Sequence, residues 1–201
     1  MIRILTDSAA DLTAAELNAS GVTVVPMTVT FMDGSSQEDD GTMTKDDFFA
    51  RLASDSKLPR TSQPSPSAYI QAYEDAAAAG DEVIVITIAQ KLSGTFQSAR
   101  LAAADTDFAP YIVDSESATQ GEALIVREAL RLRDEEHLSA EEIFNALEQF
   151  KKRVRIVAIV DSLKHLQKGG RLPAAVAIVG GALGIKPVLA LKDGEIKLVD
   201  K

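Results

Sequence analysis

Two hydroxyl-bearing stretches carry the residue types that could hold a carboxylate or another small anion. The first is KLSGTFQSA, residues 91–99. It follows a β-branched apolar run. Ser93 stands where a helix N-cap belongs, Gly94 lets a backbone approach closely, and Thr95 opens the helix. A helix N-terminus offers free N–H groups and a partial positive charge, so two added hydroxyls make an anion cradle. The same residues also suit an ordinary capped helix. The second stretch is TSQPSP, residues 61–66. Ser65 reads as a cap, Pro66 as the first helical residue and Gly80 as the stop. Thr61 and Ser62 lie upstream of that cap and take no part in it, which leaves them as ligand-site candidates.

Other polar groups recur at strand ends: TDS at 6–8, VDS at 113–115 and VDS at 160–162. An Asp or Ser there is expected to cap the following helix. The carboxyl edge of a parallel sheet is also where ligands bind. Familiar catalytic signatures fail. Ser93 has no GxSxG around it. In GGALGIKP, Lys186 is followed by Pro187, so the stretch is no Walker A loop, and GxGxxG is absent. A Ser/His-dependent hydrolase or phosphotransferase using Ser93 with His165 as base remains the alternative function. His165 on a short amphipathic helix also reads as a half-buried structural residue. Lys168, Gly169, Gly170 and Arg171 form a basic turn, either a solvated helix end favoured by the dipole or a docking point for a phosphate or a partner.

Alternating elements must position these residues. Strands are predicted at Ile2–Thr6, Val22–Val25, Thr28–Met32, Val83–Ile88, Tyr111–Val113 and Ile156–Val160. Helices are predicted near 13–19, 44–53, 66–79, 95–104, 119–133 and 140–152. The alternation implies an α/β fold, a mainly parallel sheet with helices on both faces. FMDGSSQEDDG, residues 31–41, interrupts it with a turn and an acidic loop. Past residue 153 a smaller α+β unit begins, with KPVLAL and EIKLV flanking a hairpin DG. The expected division is 1–153 and 154–201, the second domain incomplete, because a hairpin plus one strand is a marginal sheet.

The 201 residues suffice for a core, and 46% hydrophobic with 25% charged is ordinary for a globular protein. A net charge of −9 disfavours nucleic acid as a partner. Without Cys there is no disulfide, thiolate metal site or Cys nucleophile, and two His are too few for a His-rich metal site. No cofactor or metal is expected. No apolar run reaches about 18 residues, so no membrane span is expected. MIRILTDS runs straight into a strand, without a signal-peptide layout, which suggests a cytoplasmic location.

Six stretches in series resemble the DegV family, the fatty-acid-binding proteins of bacteria. They are ILTDSAADL, TSQPSP, LSGTFQSA, VDSESATQG, HLQKGGRL and GIKPVLALKDGEI, and they span almost the whole chain. The position of His165 usually carries an aromatic residue in the family, and members continue about a quarter of their length past the hairpin. The resemblance implies two α/β domains with a long-chain fatty acid between them. Its carboxylate is held by the TSQPS and SGT hydroxyls: Thr61 and Ser93, with Ser62, Gly94 and Thr95 in support. It further implies a binding subunit that is not itself an enzyme and has no nucleotide site. Such a subunit presents the carboxylate to a separate ATP-dependent fatty acid kinase, which makes an acyl phosphate. Lys168 and Arg171 are then expected to dock the kinase or the incoming phosphates.

Overall fold

The computed structural model describes residues 1–54, 57–172 and 186–201. Its centre is a parallel sheet built from β1 (Ile2–Asp7), β2 (Thr23–Val25), β6 (Glu82–Thr87) and β7 (Tyr111–Asp114), in the order β2-β1-β6-β7. In β1 and β6 neighbouring residues such as Ile4 and Leu5, or Val85 and Ile86, are all buried. That continuous apolar run is what a strand covered on both faces requires.

On one face lie α3 (Pro66–Ala79) and α4 (Thr95–Ala104). Tyr69, Tyr73 and Ala76 recur at helical spacing and pack with Ala99 and Ala102 on Leu5, Val83 and Val85. On the other face lie α1 (Ala14–Ser20), α5 (Gln120–Asp134) and α6 (Ala140–Phe150). Ile125, Val126, Ala129, Ile143 and Leu147 pack there on Ile4, Ile84 and Ile86. Reciprocal capping boxes start α1, through Thr13 and Glu16, and α6, through Ser139 and Glu142. The expected α/β architecture with helices on both faces is what forms.

Two antiparallel sheets join it. One contains β3 (Thr28–Thr30), β4 (Ser36–Glu38) and β5 (Arg60–Ser62), with β3 central. The sequence predicted β3 alone. An acidic loop was expected across 31–41, where β4 lies, and Thr61 and Ser62 fall in β5. The polar triplets SQE and RTS carry no apolar alternation, and only Val29 of β3 is buried. A helix, α2 (Lys45–Ser54), connects β4 to β5.

The other sheet is β8 (Ile156–Ile159), β9 (Val188–Lys192) and β10 (Glu195–Asp200), ordered β10-β9-β8. The hairpin turns at Asp193 and Gly194, both with positive φ (53° and 75°), as a two-residue DG turn demands. A short helix, α7 (Lys164–Lys168), follows β8. Leu163, Leu172 and Leu189 form a small core with Leu166, Ile196 and Leu198. Most of LPAAVAIVGGALG, apart from Leu172, lies outside the described residues. Among the described residues no helix is long and apolar enough to cross a membrane.

Candidate functional site

The loop after β6 is held from both neighbouring strands. Asp7 at the end of β1 accepts from the Ile88 amide at 2.8 Å, and Asp114 at the end of β7 accepts from the Gln90 amide at 3.1 Å. The Ala89 amide donates to Ser117 O at 2.8 Å. The strand-end aspartates therefore brace this loop, where the sequence suggested caps for the next α-helices. Asp7 caps only the short 3-10 turn Ser8–Ala10, Thr13 caps α1, no side chain caps α5, and Ser162 Oγ accepts from the Lys164 amide at the start of α7.

The braced loop presents Ser93, Gly94 and Thr95. The N-cap of α4 is Gly94, with no side-chain cap bond, which corrects the expectation that Ser93 occupies it. Ser93 is one residue too early because its own amide is already turned onto Ala89 O at 3.2 Å. Its hydroxyl, released from capping, lies 2.9 Å from that of Thr95. Thr95 is fully buried and Ser93 half-buried, so the pair runs from interior to surface.

The TSQPSP stretch is pinned to this loop. Ser98 of α4 donates to Pro64 O at 2.6 Å. A Cβ on Gly94 would lie 2.9 Å from Gln63 Nε2, so the two motifs approach closely there. Ser65 caps α3 and Gly80 ends it with φ 68°, as the sequence indicated. Thr61 pairs with Val29 and Ser62 with Thr28, and both hydroxyl residues are exposed.

Arg171 reaches the same loop from the far part of the chain. Its Nε donates to Leu92 O at 3.1 Å across 79 residues of sequence. Between loop and hairpin opens a cavity of about 610 Å³, whose lining includes Lys91, Leu92, Arg171, Ile196, Lys197 and Leu198. It joins three cations to three aliphatic side chains. Glu195 partly offsets the charge, 3.3 Å from Lys91 and 3.4 Å from Lys197. Lys168 is exposed on α7. His165 is exposed rather than half-buried. Among the described residues its ring has no hydrogen bond, and Ser93 Oγ bonds Thr95 rather than His165.

A larger hollow, about 750 Å³, lies at the opposite, amino-terminal edge beside Met1, Arg3 and Arg133. Its cations are already engaged: Arg3 with Asp81 at 2.7 Å, and Arg133 with Ile2 O, Ser20 O and Asp134. The carboxyl edge, where strand ends and helix N-termini converge, is the better ligand site.

Beneath the cradle lies a buried acidic group that the sequence reading missed. Burial pushes the Asp7 carboxyl up to about 6, opposed by the Ile88 and Ala9 amides. Glu122 in the first turn of α5 is fully buried. Its proton affinity is raised well above the usual carboxylate range, by burial first and the Asp7 charge second, although Thr6 donates to it at 3.1 Å. One signal was available: Glu122 falls on the helical stripe continued by Val126 and Ala129.

The fold and cleft define an α/β protein with an amphipathic pocket at the carboxyl edge of its sheet. The whole chain, residues 1–201, matches the DegV family (Uncharacterised protein, DegV family), and it belongs to that family. It is 37% identical over 201 residues to a DegV domain-containing protein of Caldanaerobacter subterraneus subsp. tengcongensis, covering all of this chain and 71% of the relative. Among solved structures it resembles a DegV family protein from Thermus thermophilus described by its fatty acid binding. The TM-score is 0.88 at 36% identity, over 99% of this chain and 70% of that one. It also resembles a stearic acid-binding protein from Eubacterium ventriosum. There the TM-score is 0.89 at 33% identity, over 100% of this chain and 70% of that one.

Proposed function

We propose that the chain binds a long-chain fatty acid, with its carboxylate among Thr61, Ser62, Ser93, Gly94 and Thr95 and its alkyl chain against Leu92, Ile196 and Leu198. The observation that carries this is the cleft where Lys91 and Leu92, just ahead of Ser93, meet the β9–β10 hairpin, cationic and aliphatic at once. The fatty-acid-binding relatives support it. Each buried methylene contributes about 0.8 kcal/mol, so an alkyl chain supplies the affinity. The carboxylate must still be hydrogen-bonded on leaving water. Hydroxyls do this without occupying both oxygens, as an Arg fork would. An open oxygen suits a binding subunit that hands its ligand to a separate ATP-dependent kinase for acyl phosphate formation. Arg171 and Lys168 are the cations placed to meet that kinase or its phosphates, and no cofactor is required.

The test is denaturing mass spectrometry of freshly purified protein, followed by titration with palmitate. Co-purified fatty acid is expected. Thr61→Ala and Ser93→Ala should each weaken binding by roughly 1.5–3 kcal/mol with unchanged melting temperature. Arg171→Glu should lower acyl phosphate yield with the cognate kinase by more than any loss of lipid affinity explains. Wild-type affinity in both alanine variants would overturn the site, and an unaltered yield with Arg171→Glu would overturn the docking role.

A further inference from the structure

Asp7, Tyr69 and Thr87 share one face of the sheet at its carboxyl edge, behind the Ser93–Thr95 loop. Strand alternation puts Asp7 with Leu5, and Thr87 with Val83 and Val85, and those three apolar residues pack in the same core as Tyr69 and Tyr73. The carboxylate of Asp7 accepts from the amide of Ile88, the residue next to Thr87. Tyr73 donates its hydroxyl to Ala99 O at 3.2 Å. Helices α3 and α4 both run away from this edge, so Tyr69, one turn before Tyr73, stands level with Thr95, one turn before Ala99. Tyr69 and Thr87 are 0% exposed, yet among the described residues neither Tyr69 OH nor Thr87 Oγ1 has a hydrogen-bond partner. Buried hydroxyls left unpaired are rare, and an internal water is their usual partner.

We propose that Tyr69 and Thr87 hold an internal water between the Asp7 carboxyl and the Ser93–Thr95 hydroxyl pair, and so act as positioning residues for the head-group site. This role rests on the fatty-acid reading given above. The water accepts from the Tyr69 and Thr87 hydroxyls and donates to the Asp7 carboxylate and to Thr95 Oγ1, which fills its four positions. Thr95 then donates to Ser93 Oγ, and the Ser93 proton is left to donate to the ligand. The same water solvates ionised Asp7. Tyr69 from α3 and Glu122 from α5 both feel the Asp7 charge, and Asp11 and Asp114 act in turn on Glu122. None of these four groups is a cation, so ionised Asp7 adds a negative charge beneath the bound anion.

Titration with hexadecanesulfonate separates this effect from the ligand's own protonation, because its head group stays charged throughout. In the wild type, affinity should fall as pH rises through about 6, where Asp7 ionises. Thr87→Val and Tyr69→Phe remove one partner each with little change of shape. Both should move that step to higher pH and weaken binding several-fold at pH 5, below the step, with melting at pH 5 little changed. Profiles that superimpose on the wild type would overturn the proposal. So would a high-resolution crystal structure with no solvent between Tyr69 OH and Thr87 Oγ1. If the wild type binds neither palmitate nor hexadecanesulfonate, the function itself fails and this role with it. If Ser93→Ala loses ligand but the two profiles do not move, only the water-mediated role fails.

Discussion

Glu122 and Asp7 set the stability of the molecule against pH. Both are fully buried carboxyls whose proton affinity rises on folding. The folded chain therefore keeps a proton that the unfolded chain releases. For Asp7 the stabilisation is complete below the unfolded value of 3.8 and is lost as pH rises through about 6. That rise, from 3.8 to about 6, corresponds to roughly 3 kcal/mol at most. Thermal unfolding should accordingly show a lower midpoint at pH 7.5 than at pH 5. Glu122→Gln keeps an oxygen acceptor for Thr6 and replaces Oε2, which has no partner among the described residues, by an NH2 group that carries no charge at any pH. It should raise the midpoint at pH 7.5 and narrow the difference between the two pH values. A larger pH dependence in the variant would show that Glu122 is ionised in the fold. Ser93 was read as a cap, which the structure moves to Gly94, whereas Thr61 was legible in the sequence because the Ser65 cap did not use it up. Glu122 was not, because a single acid on an apolar helix stripe looks the same whether it is buried or reaches solvent.

The elements that the sequence revealed carry a side-chain pattern or marked ends, and α2 and β8 were among them although neither holds a buried residue. β1, β6 and β7 are apolar runs, and α3 announces itself by Ser65, Pro66 and Gly80 at its ends. β4 and β5 escaped because a strand held mainly by backbone pairing to β3 leaves no side-chain pattern. The Ser93 cap was displaced by one residue because the turn begun at Ala89 fixes where the helix starts, and that turn depends on Asp7 and Asp114 from other strands. At Gly121, α5 comes close both to the loop before it and to β8. A Cβ there would strike Ser117 Oγ and lie 2.6 Å from Ile156 Cγ1. Alanine improves helix propensity by up to about 1 kcal/mol over glycine, whereas overpacking costs about 1–3 kcal/mol. The clash should win. Gly121→Ala is expected to lower the melting temperature and the urea midpoint, and a rise in either would show that the α5–β8 junction can open.

At the scale of the whole molecule, local sequence cannot reveal contacts across long chain separations. Arg171 on Leu92 O and Lys91 with Glu195 join parts of the chain that share no pattern, and they shape the cleft. The three-stranded sheet behind that cleft packs Leu189, Ile196 and Leu198 on Leu163, Leu166 and Leu172. Elsewhere on β8 and β10, Val157, Ile159 and Val199 are 65%, 69% and 56% exposed. Three large aliphatic side chains on one small sheet form the kind of patch that a monomer ordinarily covers. The DegV relative from Caldanaerobacter is longer, with 71% of its length matched here. Fusing to Lys201 the segment that such relatives carry beyond their matched part should cover Val157 and Ile159 and hold the hairpin against the cleft. Burying an exposed Val or Ile contributes about 1.5–3 kcal/mol. The extended chain is therefore expected to melt at a higher temperature and to bind palmitate more tightly than residues 1–201 alone. The affinity gain should shrink in Val157→Ser and Ile159→Ser versions of the extended chain, since those changes weaken the new contact without touching the Ser93–Thr95 cradle. Equal melting temperature and equal palmitate affinity for the two lengths would refute the idea that this face is where the added segment packs.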